Sequence, residues 1–153
     1  MKDKDNNHFM DTLFFESVKE FWNERGRGAR YRLTTVGVAF FKEKINLNKS
    51  QKENLEEFKK YLLDNNYCKS MKLSEDNFSI TAEVEDCCLK NIREKYENDN
   101  MEILCCPLAN MIMYLMELET KMPPELIPIK VEDDTCKLTI AKIGTPEVTE
   151  KEG

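Results

Sequence analysis

The chain has 153 residues, 41% hydrophobic and 34% charged, with five glycines and five prolines. That is the length of one domain able to bury its own core, and the composition argues against a disordered or fibrous protein. A net charge of -6 and a pI near 5.0 argue against a broad basic face that would hold nucleic acid directly.

Residues 1–8 read as a flexible polar start that carries the single histidine, His8; 9–146 as one domain; and 147–153 as a flexible acidic end. Over residues 11–23, Phe14, Val18, Phe21 and Trp22 recur at the spacing of a helix face. Gly26 and Gly28 interrupt it beside a short basic cluster, Arg25, Arg27, Arg30 and Arg32, read as a solvated face. A second helix carries Ala29, Leu33, Val36, Phe40 and Phe41 on one stripe, with Gly37 inside it. A glycine in mid-helix costs about 1 kcal/mol relative to alanine, so it marks the close approach of another element or a ligand. Ser50 and Glu53 form a capping box that opens a third helix with Leu55, Phe58 and Leu62 inward.

After Asn65-Asn66 the period changes from helical to alternating. Residues 67–73 and 78–84 read as two strands of a hairpin, the second the cleaner alternation through Phe78, Ile80, Ala82 and Val84. Asp86 is placed to cap a short helix through Leu89, Ile92 and Tyr96. Pro107 opens a strongly apolar helix through Leu108, Met111, Ile112, Leu115 and Leu118 that stops before Pro123-Pro124. Residues 126–131 and 136–143 form a last hairpin across Glu132-Asp133-Asp134. The expected fold is α+β, in the order ααα-ββ-α-α-ββ, with one antiparallel four-stranded sheet.

No apolar run reaches the roughly 18 residues that cross a bilayer, and the start of the chain has no signal-peptide core, so a cytoplasmic location is expected. There the six cysteines are reduced, and metal or redox chemistry becomes the alternative to plain packing. Two pairs are adjacent in sequence, Cys87-Cys88 and Cys105-Cys106, and adjacent cysteines make strained disulfides. Cys105-Cys106 precedes Pro107, which puts both sulfurs at a helix N-terminus, where the dipole favours a thiolate.

The order of elements, with four segments, resembles the 4-vinyl reductase type of ligand-binding domain, related to TRAPP-type tethering subunits and haem–nitric-oxide-binding domains. The segments are the glycine-bearing run 26–37, the strand 78–87 ending in a cysteine, Cys106-Pro107 before an apolar helix, and the hairpin 132–138 holding Asp133 and Cys136. The resemblance implies a small apolar ligand in a cavity near a structural zinc. Matched one at a time, Cys106 and Cys136 correspond to zinc ligands, and Glu132 or Asp133 to an acidic ligand. Cys105 or Cys87 would stand in for a cysteine that has no counterpart here. Ala109-Asn110 and Tyr114 replace glycines of the pattern, and the hairpin is shortened.

The leading expectation is a non-catalytic sensor or carrier of a small apolar molecule, its pocket lined by Gly37, Phe40, Phe41, Met111 and Leu115. The first helix carries more apolar side chains than one stripe needs, Phe9, Met10 and Leu13 among them, which points to a homodimer. The alternatives are a cysteine-based redox switch at Cys105 or Cys106, and an enzyme with Cys106 as nucleophile. The second lacks the histidine base such a nucleophile needs, because His8 sits in the polar start.

Overall fold

The computed structural model describes residues 2–142. Ile143, expected to end the last strand, and the 147–153 end lie outside the described residues. Among the described residues the chain forms α1 (Lys2–Arg25), a 3-10 helix (Gly26–Arg32), α2 (Val38–Lys42), α3 (Gln51–Asp64), β1 (Ser70–Glu75), β2 (Ser79–Glu85), α4 (Lys90–Asn98), α5 (Pro107–Thr120), β3 (Glu125–Leu126), β4 (Lys130–Glu132) and β5 (Thr135–Ala141). The α+β class is therefore as expected, with five α-helices and a five-stranded antiparallel sheet among these residues.

Two local differences have clear causes. The helix expected from Ala29 to Phe41 is broken into a 3-10 helix, a run of turns and the five residues of α2. Gly37 is not inside a helix but precedes α2 at φ 89, a left-handed conformation that only glycine adopts without strain. The second difference is at the sheet edge, where one strand was expected over 126–131. β3 pairs with β5 through Leu126↔Ile140 and β4 through Val131↔Cys136, which leaves one extra residue on the edge side. Pro128 lies in that gap; it has no N–H to give the ladder, so the edge bulges and splits in two.

The rest of the sheet runs β1-β2-β5, with β3 and β4 sharing the far edge of β5. Ile80, Ala82 and Val84 of β2 are buried and alternate with half-buried polar neighbours, so one face of the sheet packs and the other meets solvent. Asp76 closes the β1–β2 turn by accepting hydrogen bonds from the Phe78 and Ser79 N–H groups, both at 2.7 Å. The Ser50 hydroxyl caps α3 by accepting from the Glu53 N–H at 3.2 Å, the expected box.

α5 lies across the packed face and is buried nearly all round, from Leu108 to Met113 and again at Leu115 and Met116. It shares the larger core with α2, α3 and the sheet. A second, smaller core joins α1, the 3-10 helix, α4 and the segment before α5 through Phe15, Val18, Ala29, Ile92, Tyr96 and Leu104. α1 starts at Lys2 and so includes the polar start at residues 2–8; Phe9, Met10, Leu13 and Phe21 face solvent on it.

Candidate functional site

The seam between the two cores gathers most of the sulfur. A small cavity of about 40 Å³ is lined there by Cys87, Cys105, Cys106 and Cys136 together with Arg93 and Tyr96 of α4. The four sulfurs arrive on three supports. Cys87-Cys88 form the turn from β2 into α4, Cys105-Cys106 end the segment before α5, and Cys136 sits on β5 opposite Val84. Thus four of the residues expected around a metal, Cys106, Cys136, Cys105 and Cys87, do meet at one place. The two acids expected with them do not: Glu132 and Asp133 are exposed at the hairpin tip. Among the described residues no three His, Cys, Asp or Glu side chains stand close enough to hold a metal ion.

The thiols differ sharply in character. The Cys88 thiol lies beside Cys87, whose sulfur accepts a hydrogen bond from the Leu89 N–H at 3.4 Å, with the Arg93 guanidinium nearby. The Cys88 thiol, the Leu89 N–H and the Arg93 charge together outweigh burial and Asp86, bringing the Cys87 thiol down to about 7. The neighbouring Cys87 raises Cys88 in turn, helped by desolvation; Cys88 is itself exposed.

Cys105 and Cys106 behave in the opposite way to that expected of a helix N-terminus. Burial pushes both up to about 12, although Asn110 pulls Cys105 down and the Ala109 N–H pulls Cys106 down. The α5 N-terminus acts in the expected direction but loses to desolvation, because the segment before it is sealed under α1 and the 3-10 helix. Cys68 is also pushed up, to about 11, by burial and then by Cys87. Strand β1 begins only at Ser70, so Cys68 lies in the preceding loop, close enough to the Cys87-Cys88 turn to feel its charge.

Arg93 and Tyr96 are the residues the sequence reading passed over. Arg93 is 7% exposed, and its Nη1 donates to Cys136 Sγ at 3.3 Å. Its Nε makes no hydrogen bond, the nearest acid being Glu97 at 3.8 Å. Tyr96 is 1% exposed, and its hydroxyl donates to nothing. Tyr96 appeared in the sequence only as part of an apolar stripe, and Arg93 was not singled out. A buried charge among cysteines has no periodic signature.

The residues expected to line an apolar ligand pocket have other surroundings. Phe41, Met111 and Leu115 are buried in the larger core, Phe41 edge-on to Phe58 with ring centres 5.0 Å apart. Phe40 is exposed, and Gly37 abuts Pro107. A separate groove of about 530 Å³ runs along the broken sheet edge, walled by Val38, Met113, Leu126 and Ile129 and rimmed by Arg30 and Tyr114. No helix among the described residues is long and apolar enough to cross a membrane.

Nothing among the curated proteins or the solved structures matches the chain. The resemblance to 4-vinyl reductase-type domains is overturned by a family model of another kind that spans residues 10–144. The four segments behind the resemblance are short, and a glycine run, a Cys-Pro step and a cysteine-bearing hairpin arise in unrelated chains. The chain belongs to the family whose model makes that match, described as "Putative rubredoxin C-terminal domain".

Proposed function

We propose that this domain is a cysteine-based redox module in which Cys87 is the reactive thiol and Cys88 its first partner. The carrying observation is the Leu89 N–H donating to the Cys87 sulfur at 3.4 Å, in a cavity that Cys87 shares with Arg93. A thiolate stabilised this way is the nucleophile in thiol–disulfide exchange, and a value near ambient pH suits attack. Cys88 is exposed and reaches exchange partners, while Cys106 and Cys136 line the same cavity on the inner side. A disulfide between adjacent cysteines is strained and easily reduced, which suits a switch better than a staple.

The family description names a rubredoxin, and rubredoxins carry iron in a cage of cysteine thiolates, so metal chemistry is tested on the same geometry. The sulfurs do not fit such a cage as they stand. No three candidate ligands converge among the described residues, the guanidinium of Arg93 occupies Cys136, and burial favours the protonated form of Cys105 and Cys106.

The test is thiol mapping on native protein. Brief treatment with a mild disulfide-forming oxidant should give an intramolecular disulfide containing Cys87, reversed by a dithiol and not by a chelator. Free thiols that appear only after chelation mean a metal site instead. A Cys87 that stays reduced ends the redox reading.

A second reading rests on the 530 Å³ groove, which has the size of a small-molecule site and mostly apolar walls. Under it the domain carries a small apolar molecule along the β3–β4 edge. Binding of an apolar fluorescent probe, abolished by Met113→Glu, would support it; no binding by the wild-type protein would remove it.

A further inference from the structure

We propose that the groove along the β3–β4 edge is a site for a hydrophobic amine, a small molecule with an apolar body and one protonated amino group, whose charge is received by Glu117. The proposal rests on the groove reading above and adds to it the class of molecule carried. Four residues of α5, Asn110, Met113, Tyr114 and Glu117, stand at i, i+3, i+4 and i+7, which is one face of a helix, and all four line the groove. That face is a floor with a largely apolar middle and a polar group at each end, about 10 Å apart along the axis.

Both end groups offer acceptors. Asn110 is 3% exposed, and its Nδ2 donates to the Leu33 and Val36 carbonyls, which fixes the way the amide lies. Its Oδ1 accepts no hydrogen bond among the described residues and keeps some accessible surface, unlike the Oδ1 of Asn54. At the other end the Glu117 carboxylate is exposed and has no ion-pair partner among the described residues. The other wall charges are engaged: Arg30 is held by Glu125 at 3.2 Å, and Glu102 has a partner of its own. Lys42 lies over the Tyr114 ring, 5.0 Å from its centre, and is not a wall residue. The groove therefore presents one unmatched negative charge beside apolar surface.

That combination selects among guests of similar size. A neutral hydrocarbon gains the apolar contacts and leaves the carboxylate unpaired. An apolar acid brings a second negative charge to Glu117, and like charges in contact work against binding. A hydrophobic amine lays its chain on Met113, Leu126 and Ile129 and donates its ammonium N–H groups to Glu117, a charge-assisted bond strengthened where the walls exclude water. Asn110 Oδ1 adds a second acceptor for any N–H or O–H farther along the guest. Binding involves no covalent step.

The experiment is displacement of Nile red, a neutral apolar dye, from the full chain by three eight-carbon molecules with different head groups. These are octylamine, octanol and octanoate at pH 7, where the amine is protonated and the acid ionised. Octylamine should displace the dye at roughly 10-fold lower concentration than octanoate and roughly 3-fold lower than octanol, the scale of one partly exposed ion pair. Glu117→Gln should keep Nile red binding and bring the amine level with octanol. Added salt should narrow the preference for the amine in the wild-type protein. Equal potency of amine and octanol, a preference for octanoate, or an amine preference that survives Glu117→Gln would overturn the assignment. In each of those cases the groove itself stands if Nile red binds and Met113→Glu abolishes that binding. A wild-type chain that binds no Nile red would remove the groove reading, and the amine with it.

Discussion

Gly37 presses on Pro107 so closely that a Cβ built on the glycine would stand 2.7 Å from the proline Cβ. The contact sets the α2 entry against the first residue of α5, and so fixes where Cys105-Cys106 enter the fold. Substitution carries two penalties at once, a left-handed φ of 89 and a clash with a rigid ring. Gly37→Ala is expected to cost about 2–4 kcal/mol, combining strain in the left-handed region with overpacking. Thermal or urea unfolding measures it, and a loss under half a kilocalorie would mean the two helices slide apart freely.

The pH dependence of Cys87 follows from its environment. Its thiol lies near 7 against an ordinary 9.0, so alkylation of native protein should rise with a midpoint near 7. Cys105 and Cys106, at about 12, should stay unlabelled until the protein unfolds. The stability consequence has two parts of opposite sign. The lowered Cys87 value stabilises fully above pH 9, and that contribution fades as pH falls from 9 towards 7. The raised values of Cys68, Cys105 and Cys106 stabilise fully below pH 9, a contribution lost as pH rises towards 11–12. Unfolding midpoints should therefore fall steeply above pH 9, less so in Cys105→Ala. Native labelling midpoints near 9 for Cys87 would contradict the hydrogen-bond account.

Asn110 fastens the turn after the 3-10 helix to α5. Its Nδ2 donates to the Leu33 carbonyl at 2.8 Å and to the Val36 carbonyl at 3.0 Å. Asn110→Ala takes the side-chain donor from the Val36 carbonyl and leaves the Leu33 carbonyl with only the Val36 N–H and the Cys105 thiol, at an expected cost of about 1–3 kcal/mol. Hydrogen exchange should quicken in residues 33–38 before the global transition. Unchanged exchange there would show that the turn holds without the side chain.

Phe9, Met10, Leu13 and Phe21 leave α1 with an exposed apolar surface, and we propose that a second copy of the chain covers it. Light scattering at tens of micromolar protein should give twice the chain mass, and Leu13→Glu should halve it. A wild-type monomer at that concentration would dispose of the pairing.

The fold class was legible in the residues because periodicity is local. Ser50 with Glu53, the alternation around Ile80–Val84, and Pro107 before an apolar run each act within one or two turns of chain. The same local reading joined Ala29 to Phe41 in one helix, since a left-handed glycine and a helical one look alike until the neighbour that forces the choice, here Pro107, is in place. The sequence also singled out Cys106, Cys136, Cys105 and Cys87, and these four line one cavity. Which thiol is lowered and which are raised was a tertiary decision. Desolvation depends on what covers a thiol from distant parts of the chain, and at Cys105 and Cys106 it overrides the α5 N-terminus. At Cys87 the balance reverses, because Cys88, the Leu89 N–H and Arg93 reach the same sulfur.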